Sequence, residues 1–382
     1  MNRHARLADA LIRSFAGQRC LPATAIGRRA ALGQLFALST LMPSSPSSGA
    51  EELPISEEVQ AAVRRGIDAI LRTQRDDGAL VDRAHATAMT SLALMAMASI
   101  GITPEPSTER GRACSRALEF VLLPRNQTAG YFGHHDGSRM YGHGITTLML
   151  TELFGMGATI DQNRRMKAAL MSALQVILAA QAVAKPPAMQ GGWRYTPAWR
   201  EADLSVSVWQ IMALRSASND GLAVPDDAIE SAIGFLTRCF SSSIREDGRL
   251  VDAVAGFTYT PGMQQPTFAM TAAGMLAMQT CGLYESPFVA AAGRWLMQNP
   301  PQPDERFFLY GLYYYAQALH QLGGDAAKAA RQNVTGLLLP MQAEDGTWSG
   351  REEERNIGTV YATALAVLSL TVQYHYLPIY QR

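Results

Sequence analysis

The chain is built on an internal repeat. Six times, an amphipathic helical stretch leads through a polar, glycine-containing loop into a stretch that is apolar nearly all round. The first members start near Ser56, Thr108, Asp161, Pro225, Ser286 and Asp325. In the first of them Val59, Val63, Ile67 and Ile70 share one stripe, while Glu58, Arg64, Arg65 and Asp68 lie off it. The second members read HATAMTSLALMAMASIG from His85, YGHGITTLMLTELFGMG from Tyr141, DLSVSVWQIMALRSA from Asp203, PTFAMTAAGMLAMQTCG from Pro266, FFLYGLYYYAQALHQLGG from Phe307 and IGTVYATALAVLSL from Ile357. A helix that is apolar on every side must be covered on every side, whereas a single stripe leaves a wet back. The expected fold is therefore all-α, an α/α toroid of about six helix hairpins with apolar helices inside and amphipathic helices outside. Periodicity alone also admits an open superhelix.

Composition sets the limits on function. With 382 residues, 48% of them hydrophobic and 17% charged, the chain can bury one large core. Residues 1–50 hold six arginines (Arg3, Arg6, Arg13, Arg19, Arg28, Arg29) against one acid, Asp9, so the remainder is about five charges negative and has no basic stripe for nucleic acid. That basic start runs through IGRRAALGQ and an apolar segment to PSSPSSGA, which predicts an export signal and linker over 1–50. Arg28 and Arg29 suggest the twin-arginine route and a periplasmic destination. The toroid is then residues 51–382. Cys20, Cys114, Cys239 and Cys281 form no CxxC, and the three in the toroid read as small buried hydrophobes. The window 360–377 is apolar enough to raise a membrane span, but similar helices recur throughout, so no spanning helix is expected in the mature chain. Association with a membrane surface remains compatible with the sequence.

The loops repeat too. Gln342 begins QAEDGTW, and Gln74 begins QRDDGAL with Leu80 in the Trp place; QTAGYF at Gln127 and QGGW at Gln190 are looser echoes. These residues suit structural work, because a Gln amide can satisfy orphan groups at a helix end and Gly permits the left-handed turn after it. Helix pairs with QxxxGxW-like loops resemble the prenyltransferase and squalene oxidase repeat, over most of residues 55–375. GGWRYTP at 191–197, YGHG at 141–144 and the ending LPIYQR are similar to bacterial proteins built from this repeat. The resemblance implies the α/α toroid of triterpene cyclases and protein prenyltransferase β-subunits, with an isoprenoid or lipid ligand in the axial cavity.

Two acids stand at 201 and 203, in EADLSVSVW. The stretch resembles the DxDD motif with which class II terpene cyclases protonate an alkene: Glu201 falls on the first acid, Asp203 on the central proton donor and Leu204 on the last acid. The resemblance implies Asp203 as acid and Glu201 as its orienting partner. Read without it, Asp203 is an N-cap before an apolar helix. Aromatic rings suited to wall a cavity and face a cation are Tyr141, Trp193, Tyr195, Trp209, Tyr310, Tyr313 and Tyr314, with His143 beside them. His134, His135, Asp136 and His143 lie close together, but no HxxxH or CxxC accompanies them. A Gly-rich loop with hydrogen-bonding histidines is the preferred reading, and no metal site is assigned. The DxC zinc motif of the prenyltransferase β-subunits does not occur, so no cofactor is expected. The leading expectation is an exported terpene cyclase-like toroid that binds, and under acid catalysis cyclises or isomerises, a large isoprenoid. The alternative is a non-catalytic scaffold for a lipid, peptide or protein.

Overall fold

The structure, a computed structural model, describes residues 56–374. The expected export signal lies outside the described residues, as does the LPIYQR ending. Among the described residues the chain forms α1 (Glu57–Arg72), α2 (Ala86–Ala98), α3 (Glu109–Val121), α4 (Arg139–Glu152), α5 (Ile160–Ala182), α6 (Leu204–Asn219), α7 (Asp226–Arg238), α8 (Phe268–Thr280), α9 (Pro287–Gln298), α10 (Phe308–Leu322), α11 (Gly324–Met341), α12 (Glu352–Ile357) and α13 (Thr359–Leu370). No helix among them is long and apolar enough to cross a membrane.

The two-layer segregation holds. Residues 87–99, 142–153, 204–214, 268–280, 308–319 and 360–370 are buried without exception. They belong to α2, α4, α6, α8, α10 and α13, each of which packs on the next, and α13 returns onto α2 to close the inner ring. Outside, α3 leans on α2, α5 on α4, α7 on α6, α9 on α8, α11 on α10 and α1 on α13. The open superhelix is thereby excluded. Ser56, Thr108 and Ser286 cap their helices through side-chain oxygens, as their positions suggested. Asp161 and Asp325 do not start theirs: Thr159 caps α5 by accepting the N–H of Gln162 at 3.0 Å, and α11 begins at Gly324. The short α12, with three glutamates in its first turn, had no periodic signal to announce it.

The loops act as ties between neighbouring pairs. Gln74 donates to Gly78 O (3.2 Å) and Ala113 O (2.9 Å), and Gln342 donates to Gly346 O (2.9 Å) and Ala62 O (2.8 Å). The first bond of each pair holds the loop; the second reaches the next outer helix, and for Gln342 that helix is α1. The echoes seen at Gln127 and Gln190 belong elsewhere. Gln181, at the end of α5, carries the third tie to Gly191 O and Ala228 O, and Asn126 rather than Gln127 turns inward, to Phe120 O. Two residues after the glycine, a backbone N–H enters the inner ring: Leu80 to Thr90, Trp193 to Ser207 and Trp348 to Thr363, at 2.9–3.0 Å.

Gly346 has φ +86°, and a Cβ there would lie 2.6 Å from the carbonyl oxygen of Arg65. Gly346→Ala combines a disfavoured left-handed residue with a backbone clash at the seam where the ring closes, so it should lower stability by about 2 kcal/mol or more. Thermal denaturation of the purified chain checks this; an unchanged melting temperature would mean that the seam is not held by the loop.

Candidate functional site

All six inner helices start at one rim, where their first N–H groups need acceptors. Two helices cap themselves: Asp203 Oδ1 accepts Val206 N at 3.0 Å, and Thr267 Oγ1 accepts Met270 N at 3.3 Å. The others follow a residue with positive φ (His85, φ 61°; Arg139 within the first turn of α4, φ 58°; Phe307, φ 57°; Gly358, φ 126°), and their caps come from the next loop around the ring. Asp136 accepts Ala88 N at 3.0 Å, Glu354 accepts Tyr310 N at 3.0 Å and Leu309 N at 3.3 Å, and Asp82 accepts Thr359 N at 2.7 Å. For α4 the acceptor is the carbonyl of Tyr195, which takes Met140 N at 3.0 Å. Asp136 thus serves as a cap, with Ser138 on its other oxygen, and exposed His135 bonds Thr128 at 2.8 Å. Among the described residues no three His, Cys, Asp or Glu side chains converge on a metal-sized site.

Within this rim the first turns of the inner helices form a shallow bowl. Tyr141 O–H meets the Ser205 hydroxyl, Ser205 donates to Asp203 Oδ1 at 2.7 Å, Tyr310 donates to Ser205 O at 2.8 Å, and Tyr361 donates to Glu354 Oε1 at 3.3 Å. The Tyr141 ring lies against that of Tyr195 (6.3 Å, 29°), whose hydroxyl bonds Tyr259 at 2.7 Å and whose outer edge meets Trp199 at 5.7 Å. The bowl is about one helical turn deep. In the first turns Met89 is 3%, Ser205 6%, Tyr361 7% and Tyr310 8% exposed, and four residues on, Ala93, Trp209, Leu365 and Tyr314 keep 1% or less; in α4 the seal comes one turn later, with 6% left at Ile145 and none at Met149. The Trp209 ring stacks on Tyr313 (5.7 Å, 8°) and tilts against Tyr314 (5.7 Å), sealing the floor.

Asp203 is fully buried and lies behind this wall rather than in it. Oδ1 holds Val206 N and the Ser205 hydroxyl, while Oδ2 faces Arg194 Nε at 3.3 Å, an ion pair without hydrogen-bond alignment. Burial pushes the carboxyl above its ordinary range, and Ser205, Val206, Arg194 and Tyr259 pull it back. Glu201 is exposed, on the outer side of the same guanidinium, at 2.6 Å. Leu204 is buried and carries no second acid. Glu354 is the other buried carboxyl of the rim, raised by burial and opposed by the Tyr310 and Leu309 N–H groups and Tyr361.

The structure brings Asp203, Tyr141, Tyr195 and Tyr310 together at the bowl and places Trp209, Tyr313 and Tyr314 beneath it. Two expected ligand-binding residues have structural duties instead. Trp193 is 1% exposed and donates its indole N–H to Ile177 O at 2.8 Å. His143 is wholly buried, accepts Phe132 N on Nδ1 at 3.3 Å, and faces Ala173 O through Nε2 at 3.2 Å, so it occupies the position that Thr90, Ser207 and Thr363 hold in other pairs. Sequence reasoning missed Arg194, Ser205, Tyr259, Glu354 and Tyr361. The signal for Tyr361 was present, since Tyr141, Tyr310 and Tyr361 are each the third residue of an inner helix.

Burial brings His143 down to about 4. Its folded pKa lies below the unfolded value near 6.5, so the unfolded chain binds more protons between those values. The contribution of neutral His143 is complete above pH 6.5 and is lost as pH falls toward 4, roughly 3 kcal/mol in all. His143→Thr should flatten stability between pH 7 and 5, whatever its effect at pH 7. Urea titrations at both pH values check this, and equal pH dependence in the two proteins would refute it.

No family model and no curated protein sequence matches the chain. Its fold does match solved structures. The apo type II terpene cyclase MstE from Scytonema aligns with TM-score 0.52 and 16% identity over 84% of this chain and 100% of that one. A variant of MstE with one Asp replaced by Ala, in complex with merosterolic acid A (product), gives 0.53 and 14%, over 84% and 98%. The GH76A alpha-1,6-mannanase from Salegentibacter sp. HEL1_6 gives 0.56 and 7%, over 83% and 100%. The chain therefore has the α/α-toroid fold that these terpene cyclase and glycosidase structures share.

Proposed function

We propose that this terpene cyclase-like toroid is a binding protein whose bowl takes the polar end of an isoprenoid-type molecule, leaving the apolar body to run out over Tyr195 and Trp199. The observation that carries the reading is the depth of the bowl: below the first turn the axis is occupied by Trp209, Tyr313 and Tyr314, leaving no room for a long chain. Asp203 then orients Ser205 and, through it, Tyr141. Farnesol should bind the purified chain at least tenfold more tightly than dodecane, which offers no head group, and Tyr310→Phe should narrow that difference; equal affinities for the two would overturn the reading.

A second reading, acid-initiated cyclisation or isomerisation, is favoured by the raised carboxyl of Asp203. A proton from it reaches the bowl only by way of Ser205 and Tyr141. Asn also caps helices, so Asp203→Asn should fold normally. Incubation with geranylgeraniol, analysed for cyclised products, distinguishes the two: product from the parent chain that disappears in the variant establishes the acid, while absence of product from both supports binding alone. Export through residues 1–50 belongs to the same proposal, and transport of a fused reporter across the bacterial inner membrane, lost on Arg28→Lys with Arg29→Lys, tests it.

A further inference from the structure

The hydroxyls around the bowl can be assigned proton by proton. Ser205 gives its proton to Asp203 Oδ1, which already accepts Val206 N and has none to return. Tyr141 must therefore donate to Ser205 Oγ. Tyr310 donates to the Ser205 carbonyl, which can only accept, and Tyr361 donates to Glu354. Three tyrosines on three inner helices have spent their protons on the protein, so what each hydroxyl has left is capacity to accept, which Tyr310 already shares with Tyr314. The indole N–H of Trp209, which has no acceptor, belongs to the sealed layer below.

The surrounding charge has the matching sign. Six helix N-termini would ordinarily attract an anion, each with about half a unit of positive charge. Here those positions are already filled: Asp203, Glu354, Asp136 and Asp82 cap four of the six. Arg194 stands between Asp203 and Glu201 with its guanidinium over the Tyr195 ring at 5.0 Å. Arg306 is paired with Glu353 at 2.7 Å, and Arg139 is exposed, its charge felt at Tyr131. What lines the bowl is a set of acceptor oxygens and aromatic faces, with the buried carboxyls of Asp203 and Glu354 behind them.

We propose that the head group recognised in the bowl is an organic ammonium, held by the lone pairs of Tyr141, Tyr310 and Tyr361 and by the tyrosine faces, with carboxylates and phosphates refused. This rests on the reading of the bowl as a ligand site and specifies the ligand's chemistry. An ammonium supplies N–H donors to oxygens whose own protons are already committed to the wall, and its charge is favoured over aromatic rings. A carboxylate or phosphate would set its oxygens against theirs.

The test uses three probes of one shape, benzylammonium, benzyl alcohol and phenylacetate, titrated into the full-length chain by calorimetry at pH 7. Benzylammonium should bind at least tenfold more tightly than benzyl alcohol, with phenylacetate weaker still. In the double variant Tyr141→Phe, Tyr361→Phe the benzylammonium advantage should fall several-fold while the melting temperature shows the fold retained. Benzyl alcohol or phenylacetate binding as well as the ammonium would overturn the charge assignment while leaving the bowl as a site. Unchanged benzylammonium affinity in a folded double variant would place the cation elsewhere and overturn the proposal, and failure of all three probes to bind would remove both the bowl reading and this one.

Discussion

The toroid depends on glutamine amides that join three of its loops to the next outer helix. Gln74 and Gln342 are satisfied in the same way: Nε2 gives one proton to the loop and one to the neighbouring helix, and Oε1 accepts from an arginine one turn further along that helix, Arg116 or Arg65. Each bond adds only about 1 kcal/mol net. Their importance is positional, because they fix the register between pairs that otherwise meet through non-directional apolar contact. Since Gln342 does to α1 what Gln74 does to α3, the last pair treats the first as its successor, and the chain closes into a ring rather than continuing as a spiral.

Closure has a consequence at the rim. Where an inner helix follows a residue in left-handed conformation, the cap must come from the next loop, and the loop supplies an acid or a carbonyl. The same interactions that satisfy the helix ends therefore gather Asp203, Glu354, Asp136 and Asp82 around one opening, with the first-turn tyrosines inside it. The site's electrostatics are a by-product of capping: the positive helix ends have been neutralised by the protein itself, and the tyrosine protons point back into the wall.

Much of the fold was legible because its two helix types differ in how many sides they bury, and that difference is written directly into apolar periodicity. Ser56, Thr108, Ser286 and the QxxxGxW loop at Gln342 could be placed from residue chemistry alone. The site was less legible. Asp203 was visible as both cap and acid because each role asks for a carboxyl before an apolar helix, and only the position of Ser205 and Tyr141 in front of it separates the two. His143 and Trp193 read as cavity residues because an aromatic in a Gly-rich stretch has the same signature whether its nitrogen meets a ligand or a backbone carbonyl. Glu354 was missed because its partners, Tyr310 and Leu309, are more than forty residues away in sequence, and no local pattern carries a pairing of that range; Tyr361, bonded to Glu354 only seven residues away, was legible from the third-residue position it shares with Tyr141 and Tyr310.

The depth of the bowl is set by stability more than by any ligand. Extending it into a tunnel would mean clearing Trp209, Tyr313 and Tyr314 from the axis, and truncating a buried aromatic costs about 3–5 kcal/mol each, against a total stability of about 5–15 kcal/mol. Stacked rings at the centre of six fully covered helices are thus difficult to surrender. Variation is far less costly in the first turn, where Tyr141 and Tyr310 bond Ser205 across helices and Tyr361 bonds Glu354. Under the proposed function, a toroid with this core would discriminate at the head of its ligand and be indifferent to the tail, because only the head would meet oriented polar atoms while the tail left across Tyr195 and the exposed Trp199.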